Sequence, residues 1–301
     1  MRKRVSATGF ARVASLALVM LCAIVLTGAL VRLTGSGLGC DDWPNCSSTK
    51  FVDVSTGHAA IEQVNRLFTG LVSASVIAAV LMSHLMERSR RRVVLLAWLL
   101  VAGVLAQVVI GGVVVLTGLN PWANMAHFLV SMALVSTAFA LERLSRSTEG
   151  ARLVRPVPSK LVVPRMILVV SALTAVVTGT VVTATGPHAG DETAIRFGFQ
   201  LSSVARVHGS AVMLTVAMIA LCMWCVRGDV SREGRSAREA LSVLAFLAVL
   251  QAGVGYAQYF SGVPVALVAI HIAGATGFWL GVCNLIFSPR PDEVIPVRSS
   301  R

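Results

Sequence analysis

Eight apolar stretches dominate this chain of 301 residues and leave little of it for a soluble fold. A bilayer core is about 30 Å thick and a helix rises about 1.5 Å per residue, so about 20 apolar residues span it. The composition agrees, because 55% of the residues are hydrophobic and only 13% are charged. We therefore predict an all-α polytopic membrane protein. The predicted spans are about residues 11–31, 59–84, 93–117, 122–142, 165–184, 200–226, 238–260 and 264–287.

The net charge of +12 would by itself also fit a nucleic-acid-binding protein, but its distribution does not. Cytoplasmic loops of membrane proteins are enriched in Lys and Arg, which predicts that both termini and three basic connections lie in the cytoplasm. All but five of the 26 Lys and Arg residues fall in these segments. We expect membrane lipid, and no nucleic acid, as a partner. The five exceptions are Arg32, Lys50, Arg66, Arg196 and Arg206.

The two halves of the chain carry the same polar residues at matched spacing. In each half a Gln precedes a His by the same 20 residues. Four spans per half is an even number, so both halves have the same orientation. We predict two four-helix bundles, residues 1–150 and 151–301, related by a pseudo-twofold axis along the membrane normal. The matched positions are Gln107 and Gln251, Asn65 and His208, and His127 and His271.

Histidines are the first candidates for chemistry, because polar groups inside a membrane are costly and mark functional sites. His208 and His271 fall near the ends of two spans on the side of the long loops, and Asn65 and His127 fall at the same depth in the other half. Facing imidazoles on bundle helices can ligate a haem iron. The alternative is a His bonded to a backbone carbonyl in the core. The repeated pairing favours haem ligation.

Charged residues flank these positions. Glu62 and Arg66 are four residues apart at the start of the second span, where an ion pair between them is one interpretation. The other is that Glu62 is an acid that faces a bound substrate. Arg66 and Arg206 suit the propionates of a haem, because guanidinium binds carboxylates with two hydrogen bonds. Contact with lipid phosphates explains these two arginines equally simply.

The two long loops supply further candidates. Cys40 and Cys46 lie in the first loop, on the side of the membrane where disulfides persist, and form either a structural staple or a reactive pair. His188 lies in the second loop, which is either a solvated turn or a lid above a cofactor. Six cysteines in the whole chain are too few for a secreted disulfide scaffold.

Taken in order, these segments resemble the haem A synthase family of bacteria. The resemblance covers about residues 15–290. The segments that carry it are Leu33-Thr34-Gly35-Ser36-Gly37-Leu38, Cys40 with Trp43-Pro44 and Cys46, Glu62 to Arg66, Pro121-Trp122 with His127, Thr185-Gly186-Pro187-His188-Ala189-Gly190-Asp191, Arg206-Val207-His208-Gly209, and His271.

The resemblance implies an oxidoreductase that converts haem O into haem A by oxidising a ring methyl to a formyl group, for terminal oxidase assembly. The ligands of a haem b match His208 and His271, and a ligand of the substrate haem matches His127. The acidic residue implicated in catalysis matches Glu62.

Further expectations follow from the same resemblance. Cys40 and Cys46 match a pair that is expected to form a disulfide. The implied location is the bacterial plasma membrane, and the implied partners are haem O, a haem O synthase and an electron acceptor of unknown identity. A homo-oligomer is an open alternative.

One position departs from the family, since many members have His where this chain has Asn65. Three interpretations are open. The substrate haem has one ligand, His127, and an open face; His58 replaces the absent ligand; or the chain only binds haem. Two other classes compete with a synthase, namely a membrane dihaem b-type electron-transfer protein and a transporter built from parallel repeats.

Overall fold

Eight long helices form the protein. The computed structural model describes residues 4–86, 90–148, 151 and 153–288. Within these ranges every regular element is a helix, and each helix is long and apolar enough to cross a membrane. The predicted all-α class and the number of spans are confirmed. The helices are α1 (Ala7–Leu33), α2 (Gly57–Leu85), α3 (Arg91–Leu116), α4 (Pro121–Ser145), α5 (Ser159–Thr185), α6 (Leu201–Val226), α7 (Arg232–Phe260) and α8 (Val265–Ile286).

Local signals explain where several helices begin. Ser6, Thr56 and Ser231 each accept a hydrogen bond from a backbone N–H three residues further on, which satisfies a donor that the helix leaves free. Asn120 caps α4 and Pro121 occupies its first turn, where a missing N–H costs nothing. A short turn therefore joins the end of α3 at Leu116 to the start of α4 at Pro121.

Two helices begin earlier than their apolar stretches. The sequence predicts spans from about residues 165 and 238, but α5 begins at Ser159 and α7 at Arg232. The additional turns carry Lys160 and Arg235 among other polar residues. Backbone hydrogen bonds continue into the polar boundary of a bilayer, so apolarity marks the span and not the end of the helix.

Each half closes into a ring of four helices. In the first half, neighbours in sequence pack together and α1 packs against α4; in the second half, α5 packs against α8 in the same way. The halves meet through α1 with α8, α4 with α5, and α4 with α8. Among the described helices, the diagonal pairs of each ring, which include α2 with α4 and α6 with α8, have no Cα atoms within 8 Å of each other. A prosthetic group could lie between them.

Each half also has its own apolar core, and Trp279 packs against both. The predicted boundary lies between residues 150 and 151. Positions 149, 150 and 152 are outside the described residues. The two-domain division and the pseudo-twofold axis stay predictions. Fully buried residues are Phe10, Leu100 and Leu141 in the first core, and Leu168, Leu241 and Leu285 in the second.

The bundle has two different ends. We call the end with the long loops, residues 34–56 and 186–200, the disulfide face, and the other end the terminal face. At the terminal face Arg155 donates to the carbonyls of Asn284 and Ser236, which ties the connection between the halves to α7 and α8. The predicted orientation, with both termini in the cytoplasm, stays a prediction, and residues 1–3 and 289–301 lie outside the described ranges.

Candidate functional site

The histidines of the second half each lie against a glycine of a neighbouring helix. A Cβ placed on Gly179 of α5 would lie 3.1 Å from Cε1 of His208, and one placed on Gly255 of α7 would lie 3.1 Å from Cε1 of His271. Any larger residue at either glycine would press on an imidazole. Nδ1 of His208 lies 3.2 Å from Oγ1 of Thr178, a contact that orients its ring.

These two imidazoles lie on α6 and α8, which are diagonal helices of one ring. Nδ1 of His271 is buried and has no hydrogen-bond partner among the described residues. The alternative of a core histidine bonded to a backbone carbonyl therefore does not describe His271. Two imidazoles on diagonal helices, with no hydrogen bond at Nδ1 of His271 in the described structure, fit the two axial ligands of a haem.

In the first half of the chain, only one histidine of this arrangement has a counterpart, His127. A Cβ on Gly111 would lie 3.5 Å from Cε1 of His127, whose Nδ1 is also buried without a partner in the described structure. Nε2 of Gln107 donates to the carbonyl of His127 at 3.0 Å, and Nε2 of Gln251 donates to the carbonyl of His271 at 2.7 Å. The matched spacing in the sequence thus corresponds to matched contacts.

Asn65 occupies the remaining position. Its Oδ1 is buried and has no hydrogen-bond partner among the described residues. His58, the alternative ligand, has its Nδ1 2.9 Å from Oγ of Ser36 in the first long loop. His58 lies in the first turn of α2 with its side chain against the first long loop, and ligation by His58 would require the loss of that bond.

Glu62 is a buried carboxylate that connects α2 to the first long loop. Its Oε2 accepts the backbone N–H of Cys40 at 2.8 Å. Its Oε1 accepts Nη2 of Arg66 at 2.6 Å and Nε at 3.1 Å. The ion pair considered from the sequence is therefore present. A catalytic role for Glu62 stays a prediction.

Arg66 is fully engaged with the chain. Besides Glu62, it donates through Nη1 and Nη2 to the carbonyl of Asp42 and through Nη1 to that of Asn45, and it lies 5.0 Å above the ring of Trp43. These contacts use all the N–H donors of a guanidinium. Arg66 therefore anchors the loop, and binding of a propionate would require it to give up some of these bonds.

Cys40 and Cys46 form a buried disulfide with their Cα atoms 4.3 Å apart. Beside them Trp43 packs on α3 so closely that a Cβ on Gly112 would lie 2.5 Å from its Cδ1. The disulfide loop, residues 40–46, therefore covers the end of the first ring. Whether the disulfide is a staple or a reactive pair stays open.

The second long loop is attached to the first one. Nε2 of His188 lies 2.8 Å from the carbonyl of Val263 in the turn between α7 and α8. The backbone N–H of Gly37 donates to the carbonyl of Gly190 at 2.8 Å. His188 thus reaches the end of the second ring, whereas Ala189 and Ala194 of the same loop pack with Val114 and Leu119 of the first half. Its role as a lid stays a prediction.

Two charged residues complete the disulfide face. Hydrogen bonds from the hydroxyl and the backbone N–H of Thr193 lower the pKa of Asp191, with a smaller contribution from His58. Asp191 therefore remains ionised under ordinary conditions. Arg206 is exposed and donates to Oγ of Ser203 at 3.4 Å, so its guanidinium is accessible.

Thr178 and Gly179 were not among the site residues predicted from the sequence. A signal was present, because Thr27-Gly28 in the first half has the same place relative to Thr34-Gly35 as Thr178-Gly179 has relative to Thr185-Gly186. A Thr-Gly pair in a chain rich in both residues is a weak signal, and only the folded structure shows that a histidine ring lies beside it.

The fold and site define a class, a polytopic helical membrane protein with imidazoles between diagonal helices, as in haem-binding bundles. The sequence profile of the COX15-CtaA family, described as cytochrome oxidase assembly protein, matches residues 11–58 and 51–282. The chain belongs to this family.

Several relatives carry the name Heme A synthase. One from Listeria monocytogenes is 26% identical over 285 residues, which cover 90% of this chain and 92% of the relative. One from Lysinibacillus sphaericus is 36% identical over 110 residues, or 36% of each chain. One from Geobacillus kaustophilus is 36% identical over 111 residues, which span 36% of this chain and 34% of the relative. These shorter matches cover about a third of each protein. The family resemblance in the sequence is confirmed.

Proposed function

We propose that the protein is a haem A synthase, an oxidoreductase that converts the ring methyl of haem O into the formyl group of haem A. The observation that carries the proposal is the nearly full-length similarity to a relative of that name. The histidine positions between diagonal helices support it, since they provide sites for a cofactor haem and for a substrate haem.

His208 and His271 would hold a haem b in the second half. Three observations support this assignment. Nδ1 of His271 is buried without a partner in the described structure, and Thr178 contacts and orients the ring of His208. Gly179 and Gly255 leave room for the two rings. When bound there, haem b supplies one-electron transfer without an open coordination position. Arg206, which is exposed at the same end of α6, would bind a propionate.

Haem O would bind in the first half, with its iron on His127 and its apolar tail between helices or toward lipid. Asn65 lies on the diagonal helix and belongs to this substrate site. Glu62 would accept a proton or stabilise positive charge that develops near the methyl carbon. Its bond to the N–H of Cys40 and its ion pair with Arg66 hold it in a fixed position beneath the disulfide loop.

The protein would lie in the bacterial plasma membrane with both termini in the cytoplasm. The bias of Lys and Arg toward the terminal face supports this orientation. The disulfide face would then be outside the cytoplasm, where the Cys40–Cys46 bond persists. A haem O synthase and an electron acceptor are the expected partners.

Haem extraction tests the proposal. The protein is co-expressed with a haem O synthase, purified and extracted, and its haems are separated by chromatography with mass detection. Haem b together with haem A, or a hydroxylated precursor of it, is the expected result. Haem b with unmodified haem O would instead favour the dihaem electron-transfer protein. A folded preparation without any haem would remove the ligand assignments and leave the transporter.

A further inference from the structure

An open groove lies on the surface of the second half, where α6 ends and α7 begins. It has a volume of about 440 Å³, and its lining is almost wholly apolar. Four of its lining positions recur every three or four residues along α6 and its C-terminal cap, so they form one stripe of that helix. The groove is therefore apolar along its length and basic at one end. Its lining residues are Ala220, Met223, Trp224, Arg227 and Arg238.

The basic end of the groove lies at the polar boundary of the membrane. Helix α6 has 26 residues and is therefore about 39 Å long, which exceeds the bilayer core of about 30 Å. Trp224, in its last turn, is 65% exposed, and Trp is enriched at the boundary between membrane and water. Arg227 follows the last residue of the helix, whereas Ala220 lies about 6 Å deeper than Trp224. The arginines thus reach the level of lipid phosphates, and the rest of the groove faces acyl chains.

Arg227 is held in place without using its hydrogen-bond donors. Its Cζ lies 3.2 Å above the centre of the Trp224 ring. A guanidinium that stacks on an aromatic ring keeps the N–H groups in its own plane, where they point away from the ring. In the part of the chain that the structure describes, this guanidinium has no hydrogen bond or ion pair. Trp224 therefore orients a charged group whose five donors are available.

Arg238 adds a second positive charge beside it. Its Nη1 donates to the carbonyls of Arg227 at 2.7 Å and Val226 at 3.2 Å, and its Nη2 donates to that of Asp229 at 3.3 Å. These acceptors are neutral groups at the end of α6. The bonds fix the position of Arg238 but leave its charge uncompensated.

The neighbouring acid does not neutralise the pair of arginines. The carboxylate of Asp229 accepts the backbone N–H of Ser231 at 3.0 Å and lies 3.4 Å from Nζ of Lys160. No acidic residue is among the five that line the groove. The basic end thus carries an excess of positive charge and suits an anionic ligand.

The matching position of the first half is built differently. His84 follows Asn65 by 19 residues, just as Arg227 follows His208 by 19. Nε2 of His84 accepts the indole N–H of Trp98 at 3.2 Å, so an aromatic residue engages this side chain by a hydrogen bond. The stacked arginine with free donors is therefore a feature of the second half, and neither the membrane boundary nor the repeat requires it.

We propose that this groove binds one anionic phospholipid from the leaflet at the terminal face. Arg227 binds the phosphate with two hydrogen bonds, and an acyl chain lies along Met223 and Ala220. Basic pockets beside membrane helices select anionic headgroups. A zwitterionic lipid offers the same phosphate but brings an ammonium group, which the two arginines repel. The proposal involves neither haem site and does not depend on the proposed function.

Brominated lipids test the proposal, because bromine on an acyl chain quenches a tryptophan in contact with it. The full-length protein is reconstituted in vesicles of phosphatidylglycerol and phosphatidylcholine, with one of the two lipids brominated at a time. The difference between samples with and without Trp224→Phe isolates the signal of Trp224. We expect brominated phosphatidylglycerol to quench Trp224 more strongly than brominated phosphatidylcholine at the same mole fraction. Equal quenching by the two lipids would overturn the proposal.

Arg227→Gln removes the charge and the paired donors from an exposed side chain that makes no other polar contact in the described structure. A basic residue beside an anionic lipid strengthens binding by about fivefold, so the preference for phosphatidylglycerol should fall about fivefold. Arg235→Gln is the matched control, because Arg235 is exposed on α7 and lies outside the groove. We expect it to keep the preference. An equal loss in both variants would indicate attraction by the whole face and overturn the proposal.

Inorganic phosphate distinguishes a lipid from a free anion. It is added to the vesicles that contain brominated phosphatidylglycerol, with sodium chloride of equal ionic strength as the control. We expect the two salts to have the same effect on the quenching of Trp224, because the bound lipid is also held by its acyl chain. Displacement by phosphate beyond that by chloride would indicate a site for free phosphate and overturn the assignment to a lipid.

Discussion

The two halves of the protein are built alike and differ at one ligand position. In both, a Gln holds the carbonyl of a His on the last helix of the ring, and a Gly accommodates the ring of that His. Only the second half has a second His, His208, where the first has Asn65. If the protein is the proposed synthase, this one residue would distinguish its two haem sites, because the contacts of the Gln, the Gly and the second His are otherwise matched.

The largest expected effect separates the two haem sites. His271→Ala should remove haem b, and His127→Ala should remove the first-half haem, because each loses an axial imidazole. Haem-to-protein ratio and the identity of the extracted haem check the outcome. His188→Ala, which alters only a bond to a carbonyl of a turn, is the control and should retain both haems. If either ligand variant lost both haems equally, the two sites would not be independent.

A second prediction concerns an acid that only the first half has. Glu62 has Ala205 as its counterpart in the second half, three residues before the matched Asn65 and His208. Glu62→Gln removes the charge opposite Arg66, and breaking a buried ion pair costs about 3–5 kcal/mol locally. We expect conversion of haem O to stop while haem b is retained, as measured by chromatography of the extracted haems.

Glu62→Ala is the companion variant, because it also removes the acceptor for the N–H of Cys40. It should abolish conversion too. Loss of haem b in either variant would indicate that Glu62 acts as a structural residue for the whole bundle, and full conversion in Glu62→Gln would exclude a role for its charge.

The smallest effect compares two equivalent glycines. Gly255→Ala would place a Cβ 3.1 Å from the ring of His271, whereas Gly111→Ala would place one at 3.5 Å from that of His127, an ordinary contact. Overpacking typically costs about 1–3 kcal/mol, so only Gly255→Ala should accelerate loss of haem. Transfer of haem to apomyoglobin measures the rate. Equal rates in both variants would show that the ring of His271 shifts without cost to accommodate the added methyl group.

Much of this architecture could be predicted because apolar length is a direct signal in a membrane protein. The eight spans and the histidine positions followed from residue type and spacing. The starts of α5 and α7 did not, since charged turns extend those helices beyond the apolar stretch. Helix ends are decided by capping and by polar surroundings, which a hydropathy pattern does not record.

The details of the site were harder to predict. Glu62 and Arg66 show one reason: their spacing indicates an ion pair, but only the folded loop shows that Arg66 also binds the carbonyls of Asp42 and Asn45. Gly28 shows another reason, because the role of a glycine depends on which residue packs against it. Contacts between residues distant in the chain are set by packing, and a single sequence does not display them.

The hydrogen bond from Gly37 to Gly190 has a consequence for how the two sites respond to their ligands. A motion that carries Gly37 away from the first ring either breaks this bond or pulls Gly190 with it. If loading of haem O requires such a motion, its free energy includes a contribution from the second long loop. Binding of haem O and stabilisation of that loop are then thermodynamically coupled. A ligand that stabilises the loop changes the affinity for haem O by some factor, and haem O changes the affinity for that ligand by the same factor.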